Sequence, residues 1–150
     1  MKCFQPTLLD SIDRGNIEQV QKHIDDGPDV NESFIQEGLP FAGASALHLS
    51  VLRKNTEITT LLLRAGADID IKSRDAFGST PLIWAAFWGI PEMVELLVES
   101  GANLETTDAF GTSALGAAGA DNPFIGVGTL EGFNQARASI RVYLQDAGAK

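Results

Sequence analysis

The side chains that could serve as nucleophiles, acids, bases or metal ligands are few in this chain. There is one cysteine, Cys3, and there are two histidines, His23 and His48. Zinc sites draw four ligands mainly from cysteine and histidine, so the sequence predicts no metal centre. A single cysteine cannot form an internal disulfide bond. The spacing of these residues does not indicate a catalytic Ser/His/Asp or Cys/His set, so we expect no catalytic residue and no cofactor.

One glycine-rich segment, 126–132, invites comparison with phosphate-binding loops. It reads G-V-G-T-L-E-G, whereas the dinucleotide fingerprint is G-x-G-x-x-G after a strand, and a P-loop requires a lysine. The segment contains no lysine and follows a predicted helix. We therefore interpret it as part of an insertion between helices.

The charge balance is acidic, with 11 basic and 20 acidic residues and a formal charge of −9. This charge disfavours binding to nucleic acid and to anionic membranes, and it favours a basic partner. The first residues lack the apolar run of a signal peptide, and no apolar stretch is long enough to span a membrane. We expect a cytoplasmic protein.

Two segments of the chain agree at five of eight positions at a spacing of 33 residues. Residues 75–82 read D-A-F-G-S-T-P-L and residues 108–115 read D-A-F-G-T-S-A-L. A second register links a leucine to a glycine 19 residues later, in the pairs Leu8 and Gly27, Leu47 and Gly66, and Leu82 and Gly101. Self-similarity at such a period indicates a repeat protein.

The repeats resemble those of the ankyrin family. Residues 80–86, T-P-L-I-W-A-A, and 45–50, S-A-L-H-L-S, are similar to the ankyrin signature T-P-L-H-x-A. Residues 66–70 and 101–105 are similar to the family's G-A-D-V-N. The resemblance implies a β-turn and two helices in each unit. We therefore predict an all-α ankyrin-repeat solenoid of four helix-turn-helix units joined by hairpins, in a single domain over residues 1–150.

The predicted units are about 6–31, 43–73, 75–107 and 108–150, with helix pairs near 6–26, 45–65, 80–100 and 113–147. The apolar composition of the connector 32–42 predicts an enlarged hairpin that folds back onto the helices of the repeats. The fourth unit carries an insertion at about 121–134. Its last helix is polar along one face, which we expect to meet water as a terminal cap, at Asn134, Arg137, Arg141 and Gln145.

The resemblance implies a concave groove that receives a partner protein, lined by the hairpin tips and the exposed parts of the first helices. The predicted partner-binding residues at those places are Leu52, Arg53, Phe77, Trp84, Phe87, Trp88, Phe110 and Asp121. Several of them are aromatic where solvent-facing polar residues are usual, and aromatic residues are frequent interface anchors.

Three interpretations of this surface remain open. The first is a non-catalytic protein-interaction module whose acidic charge would suit an inhibitor of a basic target. In the second, the connector and the insertion cover the surface within the chain through Phe34, Phe41, Phe124 and Phe133. The third is a small-molecule-binding protein or enzyme in which 121–134 forms a lid over a pocket lined by Trp84, Phe87, Trp88 and His48. A closed cavity with convergent polar groups would favour the third interpretation, and an open apolar groove the first.

Overall fold

The structure is a computed structural model that describes residues 6–27, 29–120 and 130–150. Within these residues the chain is helical and forms no strand, which confirms the predicted all-α fold. The helices follow one another in pairs: α1 (Leu8–Asp13) and α2 (Ile17–Asp25), α3 (Ala46–Leu52) and α4 (Thr56–Arg64), α5 (Pro81–Phe87) and α6 (Pro91–Glu99), and α7 (Ala114–Gly119) and α8 (Leu130–Asp146).

The first helix of every unit begins after a serine or threonine that caps it. The N-cap residues are Thr7, Ser45, Thr80 and Ser113, and each side-chain oxygen accepts a hydrogen bond from the backbone N–H three residues later. Such a cap satisfies one of the free N–H groups of a helix and stabilises it by about 1 kcal/mol. In α5, Pro81 follows the cap at the first helical position, where its missing N–H costs nothing.

Two hydrophobic clusters hold the helices together. One contains residues from α1 to α4, including Ile12, Val20 and Leu62, and the other contains residues from α5 to α8, including Leu97 and Leu144. The core positions that the repeat register predicts for the third unit are all buried: Leu82, Ala85, Ala86, Val94 and Leu97. The apolar periodicity of the sequence therefore identifies the faces on which the helices stack.

The connector between the first two units forms the enlarged hairpin that its apolar composition predicts. A short 3-10 turn, Val30–Glu32, leads into it. The backbone of Ile35 then pairs with Gly43 and Ala44, through N–H to carbonyl hydrogen bonds of 2.8 Å in both directions. The carbonyl of Gly43 also accepts a hydrogen bond of 2.8 Å from the N–H of Arg74, so this hairpin docks onto the next one.

We expect Gly43→Ala to destabilise the protein much more than Gly38→Ala. Both glycines have φ near +86°, so the conformational cost of about 1–2 kcal/mol is the same. A Cβ at position 43 would lie 2.6 Å from the nitrogen of Asp75 and 2.7 Å from the carbonyl carbon of Arg74, whereas at position 38 it meets nothing within 4 Å. The clash adds about 1–3 kcal/mol for Gly43 alone. Chemical denaturation would contradict this packing if the two variants lost equal stability.

The fourth unit differs from the others in the lengths of its helices. Helix α7 has 6 residues, and α8 has 17 where α2, α4 and α6 have 9 each. Part of the predicted insertion is therefore an extension of α8 at its N-terminal end. Residues 121–129, which contain most of the insertion, lie outside the described part of the chain.

The expectation that Arg137 faces water is wrong. Its side chain is buried, and its guanidinium donates to the carbonyl oxygens of Ala117, at 2.7 Å, and Ala120. The extended α8 crosses the C-terminal end of α7, where helix carbonyls lack donors and attract a cation. Asn134, Arg141 and Gln145 are exposed as predicted.

We expect α7 to open before α5 in hydrogen exchange. Helix α7 contains Gly116 and Gly119, each of which costs about 1 kcal/mol relative to alanine within a helix, and it belongs to a terminal unit. Terminal repeats open before interior ones because they are packed on one side only. Mass spectrometry should show amides of 114–119 exchanging well before those of 81–87, and equal protection would contradict the prediction.

Candidate functional site

The tips of two neighbouring hairpins are held by aspartate side chains. Asp75 Oδ1 accepts hydrogen bonds from the N–H groups of Phe77, at 3.0 Å, and Gly78, at 2.9 Å. In the next hairpin Asp108 Oδ1 accepts from Phe110 and Thr112, both at 2.9 Å. An aspartate that binds the backbone two residues later stabilises a turn. The repeated D-A-F-G therefore places a phenylalanine at each tip.

These two phenylalanine rings are in contact although they are far apart in the sequence. The ring centroids of Phe77 and Phe110 are 5.6 Å apart, in a tilted arrangement. A hydrogen bond of 2.8 Å from the N–H of Ala109 to the carbonyl of Phe77 joins the two hairpins. The residues remain 55% and 72% exposed, so the pair lies on the surface and contributes little to the core.

Three aromatic side chains of α5 and its C-cap lie beside the hairpin tips. Trp84, Phe87 and Trp88 are half-buried, and the rings of Phe87 and Trp88 meet edge to face at 5.4 Å. Phe41 of the connector contacts both tryptophans, with centroid distances of 6.4 Å. We use the name aromatic groove for the concave surface formed by Phe41, Phe77, Trp84, Phe87, Trp88 and Phe110. It encloses about 390 Å³.

His48 lies beneath this surface and does not line it. Its Nε2 donates to the carbonyl of Ser79 at 2.8 Å, and its Nδ1 accepts from the Ser45 hydroxyl at 2.7 Å. The side chain is fully buried. The ring of Trp84 meets the imidazole edge to face, with a centroid distance of 4.7 Å. Burial lowers the pKa of His48 from 6.5 to about 4, because desolvation penalises the imidazolium. The ring is therefore neutral at pH 7. It links α3, which carries His48, to Ser79 at the end of the hairpin that contains Asp75.

The ankyrin-repeat pattern, in three copies, matches residues 8–108. The chain belongs to the ankyrin-repeat family. Ankyrin repeats mediate protein–protein interactions, commonly on a concave surface, and are generally not catalytic. This confirms the resemblance that the repeat signature indicated.

The similar proteins differ widely in length and in name. Protein phosphatase 1 regulatory subunit 12A of Mus musculus is 39% identical over 80 residues, which are 53% of this chain and 8% of that protein. Protein phosphatase 1 regulatory subunit 27 of Homo sapiens is 37% identical over 101 residues, which are 67% of this chain and 61% of that protein. The E3 ubiquitin-protein ligase KEG of Arabidopsis thaliana is 38% identical over 65 residues, 43% of this chain and 4% of its own length. The chain therefore covers less than two thirds of each of these ankyrin proteins.

The structure brings five of the eight predicted partner-binding residues together in the aromatic groove: Phe77, Trp84, Phe87, Trp88 and Phe110. Leu52 and Arg53 are not among the residues that line it. Arg53 Nε instead donates to Asp13 Oδ1 of α1 at 2.7 Å. Asp121 lies outside the described residues.

Within the described residues, the connector and the first turns of α8 cover the aromatic groove only in part. Phe41 contributes to the aromatic groove, but Phe34 lies under the guanidinium of Arg74, 3.7 Å from its ring centroid. The ring of Phe133, in the α8 extension, packs closely against the backbone of Gly89. Phe124 lies outside the described residues. The exposure of Phe77 and Phe110 shows that these contacts leave the hairpin tips open.

The described residues were compared with the requirements of a membrane-spanning helix and of a metal site. Of the helices in these ranges, none is long and apolar enough to cross a membrane. In the same part of the chain, no three histidine, cysteine, aspartate or glutamate side chains are grouped so as to hold a metal ion.

Proposed function

We propose that this ankyrin-repeat protein is a non-catalytic interaction module that binds a partner protein through the aromatic groove. The observation that carries the proposal is the exposure of Phe77 and Phe110 on rigid turns beside Trp84, Phe87 and Trp88. Exposed aromatic residues in a contiguous concave patch are typical interface anchors. Because the aspartate side chains hold the backbone of these turns in advance, binding costs less conformational entropy than it would from a flexible loop.

The polar groups around the groove support a binding role over a catalytic one. Asp75 and Asp108 are engaged with backbone N–H groups of their own turns. Ser79 is buried, and His48, whose ring contacts Trp84, is neutral, buried and hydrogen-bonded through both ring nitrogens. The enzyme hypothesis required His48 in the pocket lining, and His48 is not among the described residues that line the aromatic groove.

The charge of the chain favours a basic partner. The formal charge is −9, and the charged residues among those lining the aromatic groove are the two aspartates of the hairpin tips. Such a surface accelerates encounter with a positive surface and repels a negative one. A basic enzyme bound in this way would have part of its surface masked, which is how the protein would act as an inhibitor.

Capture of partners from the native lysate tests the proposal. The bait is the wild-type chain, compared with the double variant Phe77→Ser/Phe110→Ser. Val142→Ser is the matched control, since Val142 is 57% exposed on α8 and does not line the groove. We expect a protein that the wild type and the control retain and the double variant loses. Equal retention by all three baits would contradict a role for the groove.

A further inference from the structure

The concave surface continues beyond the aromatic groove into a second depression. This N-terminal pocket, of about 590 Å³, lies between α1, the connector and α3. Its apolar lining includes Leu9, Ile35, Leu39 and Phe41. Phe41 also lines the aromatic groove, so its ring separates two adjoining depressions.

Phe41 is held in an unusual backbone conformation at this boundary. Its φ is 59°, in the left-handed region that a bulky side chain rarely adopts. The conformation lets the ring contact Trp84 and Trp88 while 42% of the residue stays exposed, and Leu39 beside it is 56% exposed. Strained residues often belong to binding surfaces, where the surrounding structure maintains them.

The charges around the N-terminal pocket are predominantly negative. Its lining contains the carboxylates of Asp10, Asp13 and Glu32 and one cation, Arg53, which pairs with Asp13. Glu32 pairs with Arg74, at 3.3 Å, and this exposed pair is weak in water. The N–H and hydroxyl of Thr7 donate to Asp10 at 2.9 Å and lower the pKa of that carboxyl, so it remains ionised in mild acid.

We propose that the N-terminal pocket receives a lysine or arginine side chain of the same partner segment whose bulky apolar residue occupies the aromatic groove. This inference rests on the proposed function and adds the chemistry of the partner. The aliphatic part of a long basic side chain packs on Leu39 and Phe41, and its charged end reaches the carboxylates at the rim. Neither an apolar side chain nor an acidic one would use both features of the pocket.

Selection from a random 12-residue peptide library displayed on phage tests the inference. We expect peptides that the wild-type chain enriches to combine a tryptophan, phenylalanine or leucine with a nearby lysine or arginine. Fluorescence anisotropy with one enriched peptide then gives the affinity for each variant. Asp10→Asn/Glu32→Gln, which removes two charges from the pocket, should weaken binding about tenfold at low salt, and much less at 0.5 M salt.

The control is Asp25→Asn/Glu57→Gln, which removes two charges at exposed positions outside both depressions and should change affinity less than twofold. Replacing the basic residue of the peptide by glutamine should cause the same loss with the wild-type protein, a result that does not depend on the stability of any variant. It should cause no further loss with Asp10→Asn/Glu32→Gln.

The outcomes distinguish the inference from the proposed function. Peptides that lose affinity for Phe77→Ser/Phe110→Ser but need no basic residue would overturn the inference and leave the groove as a docking site. Peptides with equal affinity for this double variant and the wild type would overturn both the inference and the proposed function. A selection that enriches no peptide would do the same. Size-exclusion chromatography gives a further test. A wild-type dimer that becomes a monomer in Phe77→Ser/Phe110→Ser would also overturn the inference, since the occupant would be a second copy.

Discussion

Lowering the pH from 6.5 to 4 is expected to reduce the free energy of unfolding by up to about 3 kcal/mol through His48 alone. In the folded protein its pKa is about 4, whereas in the unfolded chain it returns to 6.5. Between these values the unfolded state binds the proton and the folded state does not, so stability rises with pH across this window. The stabilisation is fully present above pH 6.5 and is lost below pH 4.

The variant His48→Gln isolates this contribution. Glutamine does not titrate, so the stability of the variant should lack the His48 part of the slope, whatever it loses in packing. Urea denaturation at several pH values gives both curves. Parallel curves for wild type and variant between pH 4 and 6.5 would mean that His48 is protonated equally in both states, and the buried neutral ring would be refuted.

Leu97→Ala is expected to destabilise the protein by about 2–5 kcal/mol, whereas Phe110→Ser should change stability by less than about 1 kcal/mol. Leu97 is fully buried in the cluster of α5 to α8, so its truncation leaves a cavity. Phe110 is 72% exposed, so its removal deletes mainly the contact with Phe77. Thermal denaturation compares the two, and an equal loss would place Phe110 in the core.

Trp88 is a less selective probe than the repeat register suggests. The register places it on the groove face, but the structure packs it against the cluster of α5 to α8 while it contacts Phe41 and Phe87. Trp88→Ser would therefore remove core contacts together with groove surface. The hairpin-tip phenylalanines separate folding from binding more cleanly, because their side chains project from turns that aspartate side chains hold.

The sequence predicts those parts of the fold that depend on local signals. The serine and threonine caps, the proline of α5 and the apolar periodicity act over a few residues, and they identify the helices and their buried faces. The repeated D-A-F-G likewise predicts the hairpin tips, because each aspartate binds its own turn.

The parts that the sequence did not predict depend on contacts between distant elements. Arg137 has the spacing of an exposed polar face, and only the extension of α8 over the end of α7 buries it. Arg53 occupies a groove position in the repeat register, but Asp13 of α1 draws it toward the N-terminal pocket. The left-handed conformation of Phe41 falls on a bulky residue that rarely adopts it, and it occurs within the connector hairpin that docks onto the next hairpin.

Calorimetric titration of the purified captured partner into the wild-type chain, Phe110→Ser and Val142→Ser tests the central claim most directly. The account predicts that Phe110→Ser raises the Kd about 30-fold or more, the effect of losing a 2 kcal/mol hot spot, while its melting temperature stays near that of the wild type. Val142→Ser, which removes an exposed apolar side chain elsewhere, should bind as the wild type does. Equal Kd values for all three proteins would show that the aromatic groove is not the docking surface.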